Sequence, residues 1–309
     1  MSKKLWQPSL IVKKNSNLFA FENYISKKLK IKFNRNYKKL LNWSIKNSPE
    51  FWSRFWDFSK IKGIKSNKNF RKSKTFYKNL FLPGSRLNFG ENLLSKNNNE
   101  KAVTFISENG FREERSWRQL NLNTNKISKF LKKINIKKGD RVAAYMPNTI
   151  ETVEAFIATT SLGGIWSSCS PDFGSKGVIE RFSQINPKVL FITDQYFYNG
   201  KKIDILNRLP EILKLIPSIK SVVISNYPGK KFIKNKYKFK KINLFKWNEL
   251  MQTNAEKIDF KRFDFETELA ILYSSGTTGK PKCICHRSGG VLIQHMKEHQ
   301  LHCNIKEND

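Results

Sequence analysis

From Ala102 onward, short apolar segments alternate with segments of helical periodicity, and no other feature of the sequence restricts the fold as strongly. The apolar segments with strand character lie at residues 103–106, 141–146, 165–169, 189–193, 222–224 and 269–273. Repeated strand–helix–strand units of this kind predict an α/β fold, in which flanking helices cover both faces of a layered, mainly parallel sheet.

Local signals predict where several of these elements begin and end. Asn109–Gly110, between two strand-like segments, is typical of a β-hairpin turn. The spacing of Ser116 and Gln119 predicts a capping box at the start of a helix. Asn148 and Glu151 are expected to start the next helix in a similar way, with Asn148 as its cap, and a further helix is predicted over residues 175–186, since a proline follows.

The first 93 residues have a different character, because helical periodicity dominates them and they contain four of the seven tryptophans. Ser48–Glu50 is predicted to start a helix, with Pro49 at its first position. Phe51, Phe55 and Phe58 would lie on one face of that helix, a pattern that indicates packing. We therefore predict a helical cap over residues 1–93 and an α/β domain over residues 94–309.

The chain is strongly basic, with 58 Lys and Arg against 25 Asp and Glu and a formal net charge of +33. Such an excess can attract nucleic acid or an anionic membrane. The lysines are scattered among Asn and Ile, however, and the densest cluster, Lys236–Lys241, is too short to indicate a nucleic-acid-binding module. A solvated lysine-rich surface is favoured, and a basic nucleic-acid-binding protein is kept as the alternative from another functional class.

Hydropathy and cysteine content indicate a compartment. The apolar runs are too short to span a bilayer, and the start of the chain lacks the apolar core of a signal peptide. Four cysteines in 309 residues do not form a disulfide framework, and they fit a reducing compartment. We expect a cytoplasmic protein without a membrane span.

All four histidines follow Cys283, and this clustering raises the question of a metal site. His295 and His299 bound an H-x-x-E-H pattern, and Cys283 and Cys285 would share one face of a strand. No third ligand has the spacing that such zinc enzymes need. We predict no metal site, and a zinc hydrolase remains a minor alternative.

The loop after the last apolar strand has the composition of a phosphate-binding loop. Its glycines can present backbone N–H groups to an anion, its hydroxyls can donate hydrogen bonds and its lysines add positive charge. It is not a Walker A loop, because a proline follows the first lysine. On composition alone, a surface turn rich in Ser, Thr and Gly is a competing interpretation. The candidate ligands of a polyphosphate are Ser274, Ser275, Gly276, Thr277, Thr278, Gly279, Lys280 and Lys282.

The order of the residues in this loop favours the phosphate-binding interpretation. Nine consecutive positions, Ser274 to Lys282, match the AMP-binding signature of adenylate-forming enzymes, so the chain resembles the family of acyl-CoA synthetases, luciferases and adenylation domains. The resemblance implies that residues 274–279 enclose the β- and γ-phosphates of ATP. It also implies that Lys282 neutralises charge on the pyrophosphate.

Other segments resemble the acetoacetyl-CoA synthetase branch of that family, so the resemblance extends over nearly the whole chain. These segments are residues 84–94, 169–174, 181–191 and 294–303. The branch implies ATP, CoA and Mg²⁺ as cosubstrates and cofactor. It places Lys201 and Lys202 where relatives contact the phosphates of CoA, although a solvated lysine pair is an equally good interpretation.

The expected function is the ATP-dependent ligation of acetoacetate to CoA through an acetoacetyl-adenylate, with release of AMP and pyrophosphate. An acetyl-CoA or other short-chain acyl-CoA synthetase is the alternative within the family. The partners expected are small molecules, with no specific nucleic acid. The family extends beyond Asp309, so the resemblance also implies an N-terminal fragment, catalytically incomplete, without the acyl pocket, the adenine loop and the C-terminal domain with its catalytic lysine. No catalytic residue is assigned.

Overall fold

The computed structural model describes residues 5–108, 110–230, 239–254, 257–275, 279–307 and 309. The α-helices are α1 Leu10–Lys14, α2 Asn17–Leu29, α3 Tyr37–Lys46, α4 Ser48–Phe58, α5 Phe89–Leu93, α6 Trp117–Lys133, α7 Ile150–Ser161, α8 Ser175–Phe182, α9 Leu209–Leu215, α10 Trp247–Met251 and α11 Ser288–Lys297. Short 3₁₀ segments lie at Phe76–Lys78 and Leu206–Arg208, and a π-helical turn at Glu298–His302.

The strands are β1 Gly63–Ile64, β2 Phe70–Arg71, β3 Leu80–Phe81, β4 Arg86–Leu87, β5 Lys101–Ile106, β6 Arg112–Ser116, β7 Arg141–Tyr145, β8 Ile165–Cys169, β9 Val189–Thr193, β10 Gln195–Tyr198, β11 Lys201–Asp204, β12 Ser221–Ser225, β13 Asn243–Lys246, β14 Phe263–Asp264, β15 Glu268–Ser274 and β16 Lys282–Arg287.

Two compact units make up the chain. The helical unit comprises residues 1–87, 264–266 and 289–309, and the sheet unit comprises residues 88–263 and 267–288. The division of the sequence into a cap and an α/β domain at residue 93 stays a prediction.

Aromatic packing on one face of α4 forms the centre of the helical unit. The ring of Phe21, on α2, lies 5.6 Å from those of Phe51 and Phe55 and 5.0 Å from that of Phe58. Edge-to-face contacts of this kind add to the free energy gained by burying the rings. The predicted packing face is therefore confirmed, and Pro49 lies in the first turn, one residue after the helix begins at Ser48.

In the sheet unit, the described residues form a seven-stranded sheet in the order β13-β12-β9-β7-β8-β15-β16. The pairings are parallel throughout, except that β16 runs antiparallel to β15. The predicted α/β fold with a mainly parallel sheet is confirmed.

Both faces of the sheet are covered. Its central strands have apolar residues at successive positions and not at alternate ones, as strands buried on both faces require. Ala143 and Tyr145 of β7 belong to a buried cluster that also contains Phe182 of α8 and Ile212 of α9. On β9, Phe191 packs its ring against Trp166 of β8 and Trp247 of α10, at 6.4 and 6.1 Å.

The hairpin and capping-box predictions are also confirmed. β5 pairs antiparallel with β6, and Gly110 between them has φ +77°, which favours glycine. Asn109 lies outside the described residues. The Ser116 hydroxyl accepts from the Gln119 amide, and the Gln119 side chain accepts from the Ser116 amide.

Two helix boundaries differ from the prediction. The residue that caps α7 is Thr149 and not Asn148, because the chain leaves β7 through Met146 and Pro147 and turns one residue later than the sequence suggested. Helix α8 ends at Phe182 and not at residue 186, where Asn186 adopts a left-handed conformation with φ +48°.

A buried acidic network connects α7 to its neighbours in the sheet unit. Glu154 is fully buried, and one of its carboxylate oxygens accepts from the Asn123 amide at 2.8 Å. The Arg115 guanidinium lies 3.4 Å from that carboxylate and 3.9 Å from that of Glu151, and it also pairs with Glu113 at 2.6 Å. Burial raises the pKa of Glu154 from 4.5 to about 8.

This raised pKa predicts that Glu154 makes the fold less stable as the pH increases. The folded chain binds the proton more tightly than the unfolded chain, so the stabilisation present below about pH 4.5 is lost as the pH rises to about 8. The variant Glu154→Gln stays neutral and keeps an oxygen for Asn123. The free energy of unfolding of this variant, relative to that of the parent chain, should therefore rise by a few kcal/mol between pH 5 and pH 8.

Urea unfolding at several pH values measures this difference. Glu211→Gln, at an exposed position on α9, is the matched control for the same substitution. A Glu154→Gln difference that varies with pH no more than that of Glu211→Gln would contradict the burial of an ionisable Glu154.

Candidate functional site

The predicted phosphate loop lies at the carboxyl edge of the sheet. Strand β15 runs parallel to β8 and returns through residues 275–281 into β16. Ser274 and Lys282 are directly paired at the base of this connection. Since the carboxyl ends of parallel strands share one edge, the loop lies where α/β proteins commonly bind ligands.

The described residues of the loop present a cationic surface to solvent. Ser275, Gly279, Lys280 and Lys282 are exposed, and Ser274 is half-buried. Gly279 has φ +100°, a conformation that other residues rarely adopt. Within the described ranges, neither lysine has a carboxylate within salt-bridge distance, so both ammonium groups can bind an anion. The predicted ligands Gly276, Thr277 and Thr278 lie outside the described residues.

Buried side chains support the strand that leads into this loop. The Ser167 hydroxyl of β8 lies 2.9 Å from the Ile271 carbonyl and 3.1 Å from the Tyr273 hydroxyl. The Arg181 guanidinium stacks 5.7 Å from the centre of the Tyr273 ring. Burial strongly raises the pKa of the Tyr273 phenol, so it remains a neutral hydrogen-bonding group.

At the far end of the loop, a side chain from the neighbouring segment fixes the backbone. The Gln184 amide donates to the Pro281 carbonyl at 3.0 Å. The loop is thus held at both ends, by strand pairing at Ser274 and by this hydrogen bond at Pro281.

A cavity of about 360 Å³ opens at the carboxyl ends of β7 and β8. Aromatic rings form a large part of its wall: Phe105, Tyr196, Phe197 and Tyr227. Two carboxylates, Glu108 and Asp172, also line it. Flat rings with a few polar groups suit a planar, partly apolar ligand.

Two residues that the sequence did not single out hold one wall of this cavity. The Arg208 guanidinium donates to the carbonyls of Pro171 and Phe173 at 3.0 and 2.8 Å, and to the Tyr145 hydroxyl. The Tyr145 hydroxyl in turn donates to the Phe173 carbonyl. The segment after β8, which includes the cavity residue Asp172, is therefore fixed to the end of the central strand.

Lys201 and Lys202 lie on the hairpin formed by β10 and β11, which also contributes Tyr196 and Phe197 to the cavity wall. Both lysines are exposed. Lys201 pairs with Tyr198 and Lys202 pairs with Phe197, so the two ammonium groups lie on opposite faces of the hairpin. A single phosphate group on one face could thus be contacted directly by only one of them.

The cysteine and histidine cluster contains paired residues in each unit. Cys283 and Cys285 are exposed residues on β16, and partial burial of their sulfur atoms raises the pKa of both thiols. In the helical unit, the rings of His295 and His299 are 6.3 Å apart. Among the described residues, no group of three His, Cys, Asp or Glu is arranged to hold a metal ion.

None of the helices in the described part of the chain has both the length and the apolar character that crossing a bilayer requires.

Comparison with known proteins identifies relatives over the whole chain. The model of the family described as AMP-binding enzyme matches residues 92–308. Acetoacetyl-CoA synthetase from Xenopus tropicalis is 37% identical over 100% of this chain and 46% of its own length. Acetoacetyl-coenzyme A synthetase from Rhizobium meliloti is 35% identical over 99% of this chain and 46% of its own.

A further relative has a different name, and a solved structure shares the fold. Malonamoyl-CoA synthetase vrtB from Penicillium aethiopicum is 32% identical over 99% of this chain and 43% of its own. The structure of acetoacetyl-CoA synthetase from Streptomyces lividans superposes with a TM-score of 0.89 at 28% identity, over 98% of this chain and 46% of that one. The chain thus spans just under half the length of the curated relatives it matches.

The left-handed conformation of Gly279 generates a prediction about anion binding. A Cβ at this position would meet no atom within 4 Å, so Gly279→Ala costs backbone energy alone, roughly 1–2 kcal/mol. We expect the variant to bind magnesium tripolyphosphate about five- to thirtyfold more weakly, because alanine disfavours the backbone conformation of the loop at this position.

Isothermal titration calorimetry in 0.15 M salt, which screens diffuse attraction to surface lysines, measures this effect. Gly174→Ala is the control, since a Cβ there also meets no atom within 4 Å and φ is −65°. Equal affinities of both variants would show that the conformation of Gly279 does not matter for anion binding.

Proposed function

This chain belongs to the AMP-binding enzyme family, and from that membership we propose that it supplies the triphosphate-binding site of an adenylate-forming acyl-CoA ligase that acts on acetoacetate. The observation that supports the proposal most directly is the loop from Ser274 to Lys282. It combines the family signature with exposed lysines at the carboxyl edge of a parallel sheet.

In the proposed reaction, a carboxylate oxygen of acetoacetate attacks the α-phosphorus of ATP. The bond from that phosphorus to the bridging oxygen breaks, and pyrophosphate leaves. The CoA sulfur then attacks the carbonyl carbon of acetoacetyl-AMP, its proton is lost to solvent or a base, and the bond to AMP breaks. Adenylation is required because oxide is a poor leaving group and AMP is a good one.

The contribution of this chain is to position and neutralise the triphosphate. Lys280 and Lys282 flank Pro281 in the sequence, and both lysines are exposed. Their charges would oppose the repulsion between the incoming carboxylate and the phosphates, and would stabilise the negative charge that develops on pyrophosphate. Mg²⁺, when bound, would add further neutralisation of the triphosphate, chiefly through the phosphate oxygens.

We assign the second substrate, CoA, to the aromatic-walled cavity and the adjacent hairpin. The rings of Tyr196 and Phe197 offer surfaces for a planar base. Lys201 and Lys202, four to six residues further along the hairpin, supply charge for the phosphates of CoA. Both sites open at the carboxyl edge of one sheet, as a two-substrate reaction needs.

The choice of acetoacetate rests on the names of the relatives. Acetoacetyl-CoA synthetases from an amphibian and a bacterium match the full chain at 35–37% identity. Because the fungal relative is named for malonamoyl-CoA, a different short acyl acid is the second candidate.

The hydroxyl groups of the loop generate a prediction for the first half-reaction. Replacing them in the double variant Thr277→Val and Thr278→Val keeps the side-chain volume but removes two donors to phosphate. We expect the rate of acetoacetate-dependent ATP–pyrophosphate exchange to fall at least tenfold, since one donor to developing charge is worth about 10²–10³ in rate in a well-studied case.

The assay uses a chimera. It joins this chain to the part of the Streptomyces lividans enzyme that lies outside the matched region. Thr104→Val, at a half-buried position on β5, controls for the loss of a hydroxyl. Unchanged exchange in the double variant would remove the loop from the proposed mechanism.

The same chimera tests a second prediction, the identity of the acid. Acetoacetate should have the higher kcat/KM, because a site that hydrogen-bonds its keto oxygen leaves buried groups unpaired when acetate binds. The acyl pocket of this chimera comes from the Streptomyces part. The comparison is therefore repeated with a second chimera, in which the matching part of an acetyl-CoA synthetase replaces it. A preference for acetate in both chimeras would contradict the assignment of this chain to acetoacetate.

A further inference from the structure

The carboxylate of Glu108 joins two hairpins that are far apart in sequence. One of its oxygens accepts from the Asn199 backbone amide at 2.8 Å, and the other accepts from the Gly200 amide at 3.4 Å. Glu108 lies just after β5, while Asn199 and Gly200 form the turn between β10 and β11. The lysines assigned to CoA follow this turn directly.

The turn presents two neighbouring backbone amides to this carboxylate. Asn199 and Gly200 both have left-handed conformations, with φ +48° and +71°, as in the tight turns of two-residue hairpins. Strands β10 and β11 pair only with each other in the described part of the chain, and a two-stranded hairpin is marginally stable alone. A carboxylate that accepts from two amides forms charge-assisted hydrogen bonds, which are the stronger kind.

The same pair of hairpins also meets through aromatic packing. The Tyr227 ring lies 5.3 Å from that of Phe197 on β10 and 6.4 Å from that of Phe105 on β5. The Lys230 ammonium lies 4.6 Å from the centre of the Phe197 ring. Ring contacts along β10 thus hold one strand of the β10–β11 hairpin, and Glu108 holds its tip.

A carboxylate beside a site for phosphate groups would ordinarily repel the ligand. Here its two oxygens are directed at backbone amides, whose partial positive charges offset its own. We therefore expect the placement of the turn by Glu108 to favour binding of an anionic ligand more than the negative charge of Glu108 disfavours it.

We propose that Glu108 is a positioning residue for CoA binding: it holds the turn at residues 199–200, and through it Lys201 and Lys202, in the orientation that meets the phosphates of CoA. This inference rests on the proposed function, because it assumes that CoA binds at this hairpin.

Reversing the charge of the side chain separates the geometric from the electrostatic effect. If Glu108 were a surface anion only, Glu108→Lys would tighten the binding of CoA by removing repulsion. If it holds the turn, both Glu108→Lys and Glu108→Ala weaken CoA binding, by roughly three- to tenfold. Glu108→Gln keeps one acceptor for Asn199 and should recover part of the affinity.

Two readouts are taken on the full 309-residue chain: CoA affinity by calorimetry, and hydrogen–deuterium exchange of peptides that cover residues 195–204. Glu211→Lys, exposed on α9, repeats the change in net charge as a control and should leave exchange in this peptide unaltered. Affinity for magnesium tripolyphosphate is measured in parallel and should be unaffected by Glu108→Ala, because its loop follows β15.

The expected result is faster exchange at the hairpin together with weaker CoA binding in Glu108→Ala and Glu108→Lys. Unaltered exchange, or tighter CoA binding by Glu108→Lys than by Glu211→Lys, would overturn the positioning role. Faster exchange with unchanged CoA affinity would overturn the link between the turn and CoA. If the parent chain binds tripolyphosphate but not CoA, the assignment of CoA to this hairpin fails, and the inference fails with it.

Discussion

The structure depends on the burial of one strand, β7, which has parallel neighbours on both sides. Its residues Val142 to Tyr145 are fully buried, so the strand can exist only with its two faces covered and its two edges paired. The chain continues from β7 to β8 on one side and then returns to β9 on the other. This reversal of direction leaves a crevice at the carboxyl ends of the strands. The cavity opens there, and the phosphate loop follows β15 at the same edge.

Polar contacts add to aromatic packing in fixing the segments that surround this crevice. Arg208 and Tyr145 hold the backbone at Phe173, and Glu108 holds the turn after β10. Hydrogen bonds have direction, so a few of them can fix a backbone segment that buries little apolar surface. The buried sheet therefore provides a rigid base, and specific side chains place the loops that would contact substrates.

Sequence patterns predicted the elements whose signals are local. The capping box at Ser116, the hairpin around Gly110 and the apolar strands of the sheet all depend on residues within a few positions of each other. The helix predicted to begin at Asn148 starts later, because the path of the chain out of β7 decides which residue caps it. Contacts such as that of Glu108 with Asn199 join residues 91 positions apart, and no local pattern encodes them.

The candidate site was predictable in part for the same reason. The loop from Ser274 to Lys282 has its chemistry in consecutive residues, so its order alone indicates the family. The aromatic wall of the cavity combines residues from three segments, with Phe105 on β5, two rings on β10 and Tyr227 after β12, and only the fold brings these together. Arg208 gave no signal in the sequence, since its partners are backbone carbonyls of a distant segment.

The central claim is that this chain binds the triphosphate of ATP at the loop after β15. Hydrogen–deuterium exchange of the 309-residue chain, with and without magnesium ATP in 0.15 M salt, tests it directly. The account predicts slower exchange in peptides that cover residues 274–282, and no change in peptides from the lysine-rich segment at residues 230–241. Slower exchange confined to the lysine-rich segment, or none at residues 274–282 under saturating ATP, would contradict it and would favour a chain that attracts polyanions through its net charge alone.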